Sequence, residues 1–221
     1  MYKNLLFDLD GTIVDSGQGI ISGLKHTYKE LNLEIPNDTI LKKFIGPSVE
    51  EGFFRYGGIK DKQLVMKASE IYRPYFDNVT YKECKPYDDL VEVVKELNKE
   101  NLNNKNGERK LFVASARHIN SLKSLLNFLD LSKYFLGIYG SEDGMVEDVK
   151  KQVIDNIFFR EKISSKEETL MIGDRFYDIE GAHNYGIKAC GALWGYGNIE
   201  EFKEYNAEYI INNPHELFDI I

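Results

Sequence analysis

Residues 4 to 16 read NLLFDLDGTIVDS. Leu5, Leu6 and Phe7 form an unbroken apolar run, the pattern of a buried strand, and Asp8 and Asp10 follow it two positions apart. Side chains at i and i+2 of a strand share a face, so the two carboxylates would crowd unless Gly11 lets the chain turn between them and solvent. Two anions held that close require a divalent cation, a shared proton or a turn that separates them. Taken alone, D-x-D-G also fits a strand end closed by an Asx-type turn, where Asp and Gly serve only the backbone. The rest of the chain has to choose.

Beyond this stretch the pattern turns helical. Gly19 to Leu31 places Ile20, Ile21, Leu24, Tyr28 and Leu31 on one helical face. Further helices are expected over Asp38 to Ile45, Ser48 to Tyr56 and Asp61 to Tyr75, with no strand between them. Pro36, Gly46-Pro47 and Gly57-Gly58 punctuate the run, and Ser48 with Glu51 predicts a capping box. The expected organisation is a helical cap domain at 16–85 inserted into a core made of 1–15 and 86–221, with crossings near Asp15 and Pro86.

From Pro86 onward helix and strand alternate. Helices are expected over Tyr87 to Asn98, Ile119 to Leu129, Val146 to Phe159 and Tyr177 to Tyr185. Strands are expected over Lys110 to Ser115, Leu136 to Gly140, Thr169 to Gly173, Ile187 to Gly191 and Glu208 to Ile211, with a last short helix opened by Pro214. This alternation predicts an α/β fold, a doubly wound parallel sheet in three layers with helices on both faces. The polar stretch Asn101 to Gly107 reads as an exposed connection.

A formal charge of −8 over 221 residues argues against nucleic acid or a membrane surface as partner, because both attract basic faces. No apolar run approaches a membrane span, and the N-terminal apolar segment, broken by Asp8, is too short for a signal peptide. The expected compartment is the cytoplasm, and a monomer is the default. Cys84 and Cys190 lie far apart without metal-type spacing and read as ordinary reduced residues.

In a doubly wound sheet, ligands sit beyond the carboxyl ends of the strands where strand order reverses. The residues that follow the expected strands are therefore informative. Asp8 and Asp10 follow the first, Ser115, Ala116 and Arg117 follow LFVA, and Gly173, Asp174, Arg175 and Asp178 follow TLMI. Lys150 and Lys151 fall near the N-terminal end of a helix, where the dipole disfavours a cation unless an anion answers it. Carboxylates suit Mg²⁺, a hard cation that takes oxygen ligands. A serine hydroxyl, backbone N–H groups and an ammonium suit a phosphoryl group held against that metal.

These residues carry a family resemblance over essentially the whole chain. Asp8-Leu9-Asp10-Gly11-Thr12, Ser115, Lys150 and Gly173-Asp174-Arg175-Phe176-Tyr177-Asp178 occur in the order of the four motifs of the haloacid dehalogenase superfamily. The chain resembles its phosphatase branch, with a Rossmann-like core and a helical C1-type cap, and is similar to phosphoglycolate-phosphatase-like proteins. The resemblance implies that Asp8 is the nucleophile and Asp10 the general acid and base. Mg²⁺ would be held by Asp8, the main-chain carbonyl of Asp10 and Asp174, with Asp178 outside them. Ser115, the N–H of Ala116 and Lys150 would hold the phosphoryl group, with Lys151 the alternative lysine.

The implied reaction is hydrolysis of a small phosphorylated metabolite, phosphoglycolate-like, a sugar phosphate or a nucleoside monophosphate. Asp10 weighs against a dehalogenase, which needs no acid for its leaving group. A mutase similar to β-phosphoglucomutases would typically carry an arginine after the cap-loop glycine, and this loop reads Gly46-Pro47-Ser48-Val49-Glu50. A non-catalytic binder of phosphorylated ligands is the third possibility, opposed by the intact set Asp8, Asp10, Lys150 and Asp174.

Overall fold

The computed structural model describes residues 1–103, 109–143, 145 and 148–221. Strand β1 (Asn4–Phe7) leads through the two-residue β2 (Val14–Asp15) into four helices, α1 (Gly17–Glu30), α2 (Asp38–Leu41), α3 (Val49–Arg55) and α4 (Lys62–Asn78). The chain returns through β3 (Lys85–Pro86) and then alternates: α5 (Asp88–Asn103), β4 (Lys110–His118), α6 (Ile119–Phe128), β5 (Gly137–Ser141), α7 (Val149–Glu161) and β6 (Thr169–Gly173). It finishes with α8 (Phe176–Tyr185), β7 (Lys188–Ala192), α9 (Ile199–Glu204), β8 (Tyr209–Ile211) and a 3-10 turn at Pro214–Asp219.

Six strands form one sheet in the order β5-β4-β1-β6-β7-β8, every neighbouring pair parallel. β1 lies in the middle, with Phe7 level with Val113 of β4 and with Ile172 of β6. Parallel strands covered on both faces read as continuous apolar runs, and the two-residue period divides β1 between two cores. Leu5 and Phe7 pack with Leu111, Leu170, Leu90 and Val93 of α5 and Leu122 of α6, while Leu6 packs with Phe112, Met171, Ile154 of α7 and Ile179 of α8. Each such side chain contributes about 1.5–3 kcal/mol by leaving water. The result is the doubly wound, three-layer α/β architecture expected from the alternation.

Several local outcomes differ from the sequence pattern for identifiable reasons. The helix expected over Asp38 to Ile45 divides into α2 and a 3-10 turn, Lys42–Phe44. Ser48 caps α3 by accepting the Glu51 N–H at 3.3 Å, while the Glu51 carboxylate pairs with Arg55 at 3.0 Å. α4 continues past Pro74 to Asn78, whose side-chain amide donates to the Pro74 carbonyl at 2.6 Å. α9 has no counterpart among the expected elements, although Asn198 caps it by accepting the Glu201 N–H at 2.9 Å. The expected crossings coincide with a small antiparallel ladder, Val14 opposite Pro86 and Asp15 opposite Lys85. Of the Asn101 to Gly107 connection, 101–103 continue α5 and 104–107 lie outside the described residues, as does Val146. No described helix is long and apolar enough to cross a membrane.

Candidate active site

The chain lays β4 and β5 on one side of β1 and then crosses back to place β6, β7 and β8 on the other. The carboxyl ends of β1, β4 and β6 therefore open onto one rim beside the reversal, where such sheets bind ligands. Asp8 is the first residue past β1, Asp174 the first past β6, and Asp178 stands in the first turn of α8. All three are buried, and each offers an oxygen within 4.8 Å of the others.

Two of the three carboxylates are fixed from outside the cluster. Asp174 accepts from Thr12 Oγ1 at 3.2 Å and from the Tyr196 N–H at 2.7 Å. Asp178 accepts the Arg175 N–H at 3.1 Å, at the end of α8 where the dipole favours an anion. Gly11, at φ +92°, has no alternative: a Cβ there would strike the Asp174 carboxylate and the Tyr196 ring.

Lys150 is the cation of this cluster. It enters from the first turn of α7, buried, and donates to Asp8 Oδ1 at 2.7 Å and to the Ala114 carbonyl at 2.8 Å. It also lies 2.6 Å from Asp178 Oδ1, an ion pair whose alignment falls short of a hydrogen bond. Of the two lysines expected here, Lys150 is the one that reaches Asp8. Gly181 of α8 makes its path possible, because a Cβ there would collide with Cβ and Cγ of Lys150. Burial, and then the charge of Asp178, push the Asp8 carboxyl up to about 7 against the pull of Lys150. Burial followed by the charges of Asp178 and Asp8 raises Asp174 well above the usual carboxylate range. Burial opposes the Lys150 ammonium, yet Asp178 and Asp8 outweigh it and hold its pKa above the ordinary value.

Asp10 sits apart from these carboxylates. Its Oδ1 accepts from Ser16 Oγ at 2.5 Å and from Arg117 Nη2 at 2.6 Å, and its Oδ2 accepts from Arg117 Nε at 3.0 Å. Arg117, quoted from the sequence without a role, is therefore a partner of the second aspartate through a two-pronged ion pair. Asp10, Ala116 and Arg117 line a cleft between the core and the helical insertion, together with Glu50, Tyr72 and Arg73 of the latter. Ala116 also lines a second cleft with Lys150 and Lys151. Ser115 is buried, and its Oγ accepts the Arg117 N–H at 3.2 Å. Arg175, quoted from the fourth motif without a role, reaches across to the Ile45 carbonyl at 2.6 Å.

Comparison with known proteins decides the family. The family model described as haloacid dehalogenase-like hydrolase matches residues 5–192. The chain belongs to the haloacid dehalogenase-like hydrolases. Among relatives, this hydrolase is 28% identical to the 5'-nucleotidase of Pseudomonas aeruginosa over 92% of its own length and 88% of that protein. It is 27% identical to pyrophosphatase PpaX of Oceanobacillus iheyensis, covering 99% and 96% of the two chains. A crystal structure of a "predicted phosphatase" from Clostridium acetobutylicum superimposes with a TM-score of 0.89 at 32% identity, over 99% of this chain and 97% of that one. The hydrolase is thus an enzyme of the family's phosphatase kind, as the four motifs implied.

The donor set of this hydrolase fits a magnesium ion. Three buried carboxylates converge with oxygen atoms only, which is the ligand chemistry of a hard divalent cation. With Lys150 the sole cation touching Asp8 and Asp178 among the described residues, negative charge exceeds positive at the cluster. A dication there would offset the repulsion that raises Asp8 and Asp174.

Proposed function

We propose that this hydrolase is a Mg²⁺-dependent phosphomonoesterase that acts on a small phosphorylated metabolite through an aspartyl-phosphate at Asp8. The observation that carries this reading is the position of Asp8, the first residue past the central strand. One of its oxygens is held at 2.7 Å by the buried ammonium of Lys150, and Asp174 and Asp178 stand alongside. A carboxylate so oriented is a nucleophile in place, the Lys150 ammonium beside it suits a phosphoryl oxygen, and the neighbouring carboxylates suit the cation that would offset their repulsion of a dianionic group.

The residues then divide the work. An Asp8 oxygen attacks phosphorus, the bond from phosphorus to the leaving oxygen breaks, and Asp10 gives its proton to that oxygen. In the second half Asp10 takes a proton from water as the water oxygen attacks phosphorus, which releases phosphate and restores the Asp8 carboxylate. Lys150, the Ser115 hydroxyl and the Ala116 N–H hold the phosphoryl oxygens, and Lys150 also keeps Asp8 in orientation. Asp8, the Asp10 main-chain carbonyl and Asp174 would hold the metal, with Asp178 outside them. Bound there, the ion supplies charge neutralisation to the phosphoryl oxygens.

The helical insertion, residues 16–85, serves as a cap over the core formed by 1–15 and 86–221. The pairing of Val14 with Pro86 and Asp15 with Lys85 supports crossings near Asp15 and Pro86, and closure over the cleft would exclude bulk water during transfer. The test is phosphate release from p-nitrophenyl phosphate with Mg²⁺, with EDTA and with Asp8→Asn. Turnover that needs the metal and disappears in the variant supports the reading. Absence of metal-dependent turnover on this ester and across a panel of phosphorylated metabolites would sink it.

A further inference from the structure

The segment 174–178 faces two ways. Asp174 and Asp178 turn into the carboxylate cluster, while two residues between them reach the helical insertion. Arg175 donates from Nη1 to the Ile45 carbonyl at 2.6 Å, and the Tyr177 hydroxyl shares a hydrogen bond with that of Tyr56 at 2.5 Å. A Cβ on Gly46 would come within 3.1 Å of Arg175 Cγ and 3.2 Å of the Tyr177 ring, so this loop of the insertion lies directly on the turn. Gly46 and Pro47 then line both clefts, the one with Asp10 and the one with Lys150, and Ala116 is common to the two. Where the loop sits decides the walls around the residues that would hold the phosphoryl group.

What holds the arginine is a third element, α9. Glu201 Oε1 accepts from Arg175 Nε at 3.1 Å and from the Phe176 N–H at 2.6 Å, so one oxygen fixes both the guanidinium and the first amide of α8. Arg175 and Glu201 keep only 13% and 18% of their side chains exposed. A side chain held in this way has given up its rotamer freedom before the loop arrives. The bond to Ile45 therefore needs little further ordering, and the charge on the donor makes it one of the stronger hydrogen bonds available. The Arg175 N–H meanwhile donates to Asp178 at 3.1 Å, a main-chain bond that does not depend on the side chain. The guanidinium can be replaced without removing that bond.

Given the phosphatase reading above, on which this rests, we propose that Arg175 is a positioning residue: preset by Glu201, it docks the loop at 45–47 onto the start of α8 and so keeps both clefts in the shape that binds a phosphoryl group. Neither side chain touches substrate. Without the guanidinium the docked loop is only one of several populated arrangements, and every ligand that needs it docked binds more weakly by the same factor. The saturated enzyme still turns over, because the ligand restores the docked state.

The experiment measures kcat and KM for p-nitrophenyl phosphate, and the inhibition constant of inorganic phosphate, at fixed Mg²⁺ and ionic strength. In Arg175→Met, KM and the phosphate inhibition constant are both expected to rise about tenfold, the effect of one charge-assisted hydrogen bond, with kcat within about twofold. Glu201→Ala reproduces this pattern, whereas Glu201→Gln returns to within about threefold of wild type, because its amide oxygen can accept both bonds. Since Glu201 acts through Arg175, the double variant Arg175→Met/Glu201→Ala has a KM within about twofold of Arg175→Met alone. Arg175→Lys keeps the charge and loses the fork, and it carries the test if Arg175→Met does not fold, its KM and phosphate inhibition constant rising together by about threefold or more. A raised KM with phosphate inhibition unchanged would mean contact with the leaving group and overturns the proposal. A fall in kcat at constant KM, the mark of a damaged carboxylate cluster, overturns it as well, and so do wild-type constants in the arginine variants or effects of the two residues that multiply. A wild-type enzyme that hydrolyses neither p-nitrophenyl phosphate nor the panel of phosphorylated metabolites removes the phosphatase reading itself, and this inference with it.

Discussion

Asp8 and Lys150 are both buried and answer one another at 2.7 Å, in a cluster where two further carboxylates crowd the same space. Removing one partner of such a pair leaves an uncompensated charge and typically costs about 3–5 kcal/mol. Lys150→Met is therefore expected to lose stability of that order in urea unfolding with EDTA present, with Mg²⁺ restoring part of it. The pH dependence has a definite sign. Asp8 is raised to about 7 in the folded, ion-free protein, so the folded state binds a proton that the unfolded chain has already released. Its contribution to stability falls as pH rises from about 4 to about 7 and is level above. The melting temperature of Asp8→Asn relative to wild type, both in EDTA, should increase across that window. A flat difference would show that Asp8 is not raised. Asp8, Asp10 and Asp174 were legible in the sequence because each stands just past an apolar strand. The fork between Arg117 and Asp10 joins residues 107 positions apart, and no local pattern encodes it. The choice between Lys150 and Lys151 likewise rests on which of them passes Gly181.

The loop after β7 links the cluster to the base of the insertion. The Tyr196 N–H donates to Asp174, while its hydroxyl accepts the Gly17 N–H at 2.7 Å and donates to Asp15. Trp194 Nε1 adds a bond to the Thr12 carbonyl at 3.0 Å. One short segment thus holds both a proposed metal ligand and the first crossing into the insertion. Tyr196→Phe keeps the backbone bond to Asp174 and loses the hydroxyl bonds. Hydrogen exchange at the Gly17 amide should accelerate about tenfold or more, since that amide loses its acceptor, while the Mg²⁺ midpoint stays within about twofold. Unchanged exchange at Gly17 would show that the hydroxyl does not secure the crossing. At this scale the sequence was most readable where elements were long and periodic. α9, six residues, falls below the length at which periodicity speaks. The two-residue β2–β3 ladder is shorter still and has no periodicity to read.

Across the whole molecule, the insertion and the core meet at the cleft and are tied around it. Arg175 donates to the Ile45 carbonyl, Tyr56 and Tyr177 share a hydrogen bond at 2.5 Å, and Ser121 of α6 donates to Asp77 of α4. The alternation of strand and helix predicted the layers, while the strand order, with β1 in the middle, is set by pairings between strands far apart in the chain. What no pattern in the sequence contained was the relation between the two bodies, because the residues facing across the cleft are separated by long stretches of chain. The central claim is nonetheless local: phosphoryl transfer passes through Asp8. Quenching the Mg²⁺-loaded enzyme in acid during its first turnover of p-nitrophenyl phosphate, followed by digestion and mass spectrometry, tests it directly. The expected result is one phosphoryl group on the peptide bearing Asp8, absent in EDTA and in Asp8→Asn. Metal-dependent phosphate release that outpaces any labelling of that peptide, or persists in Asp8→Asn, would contradict it.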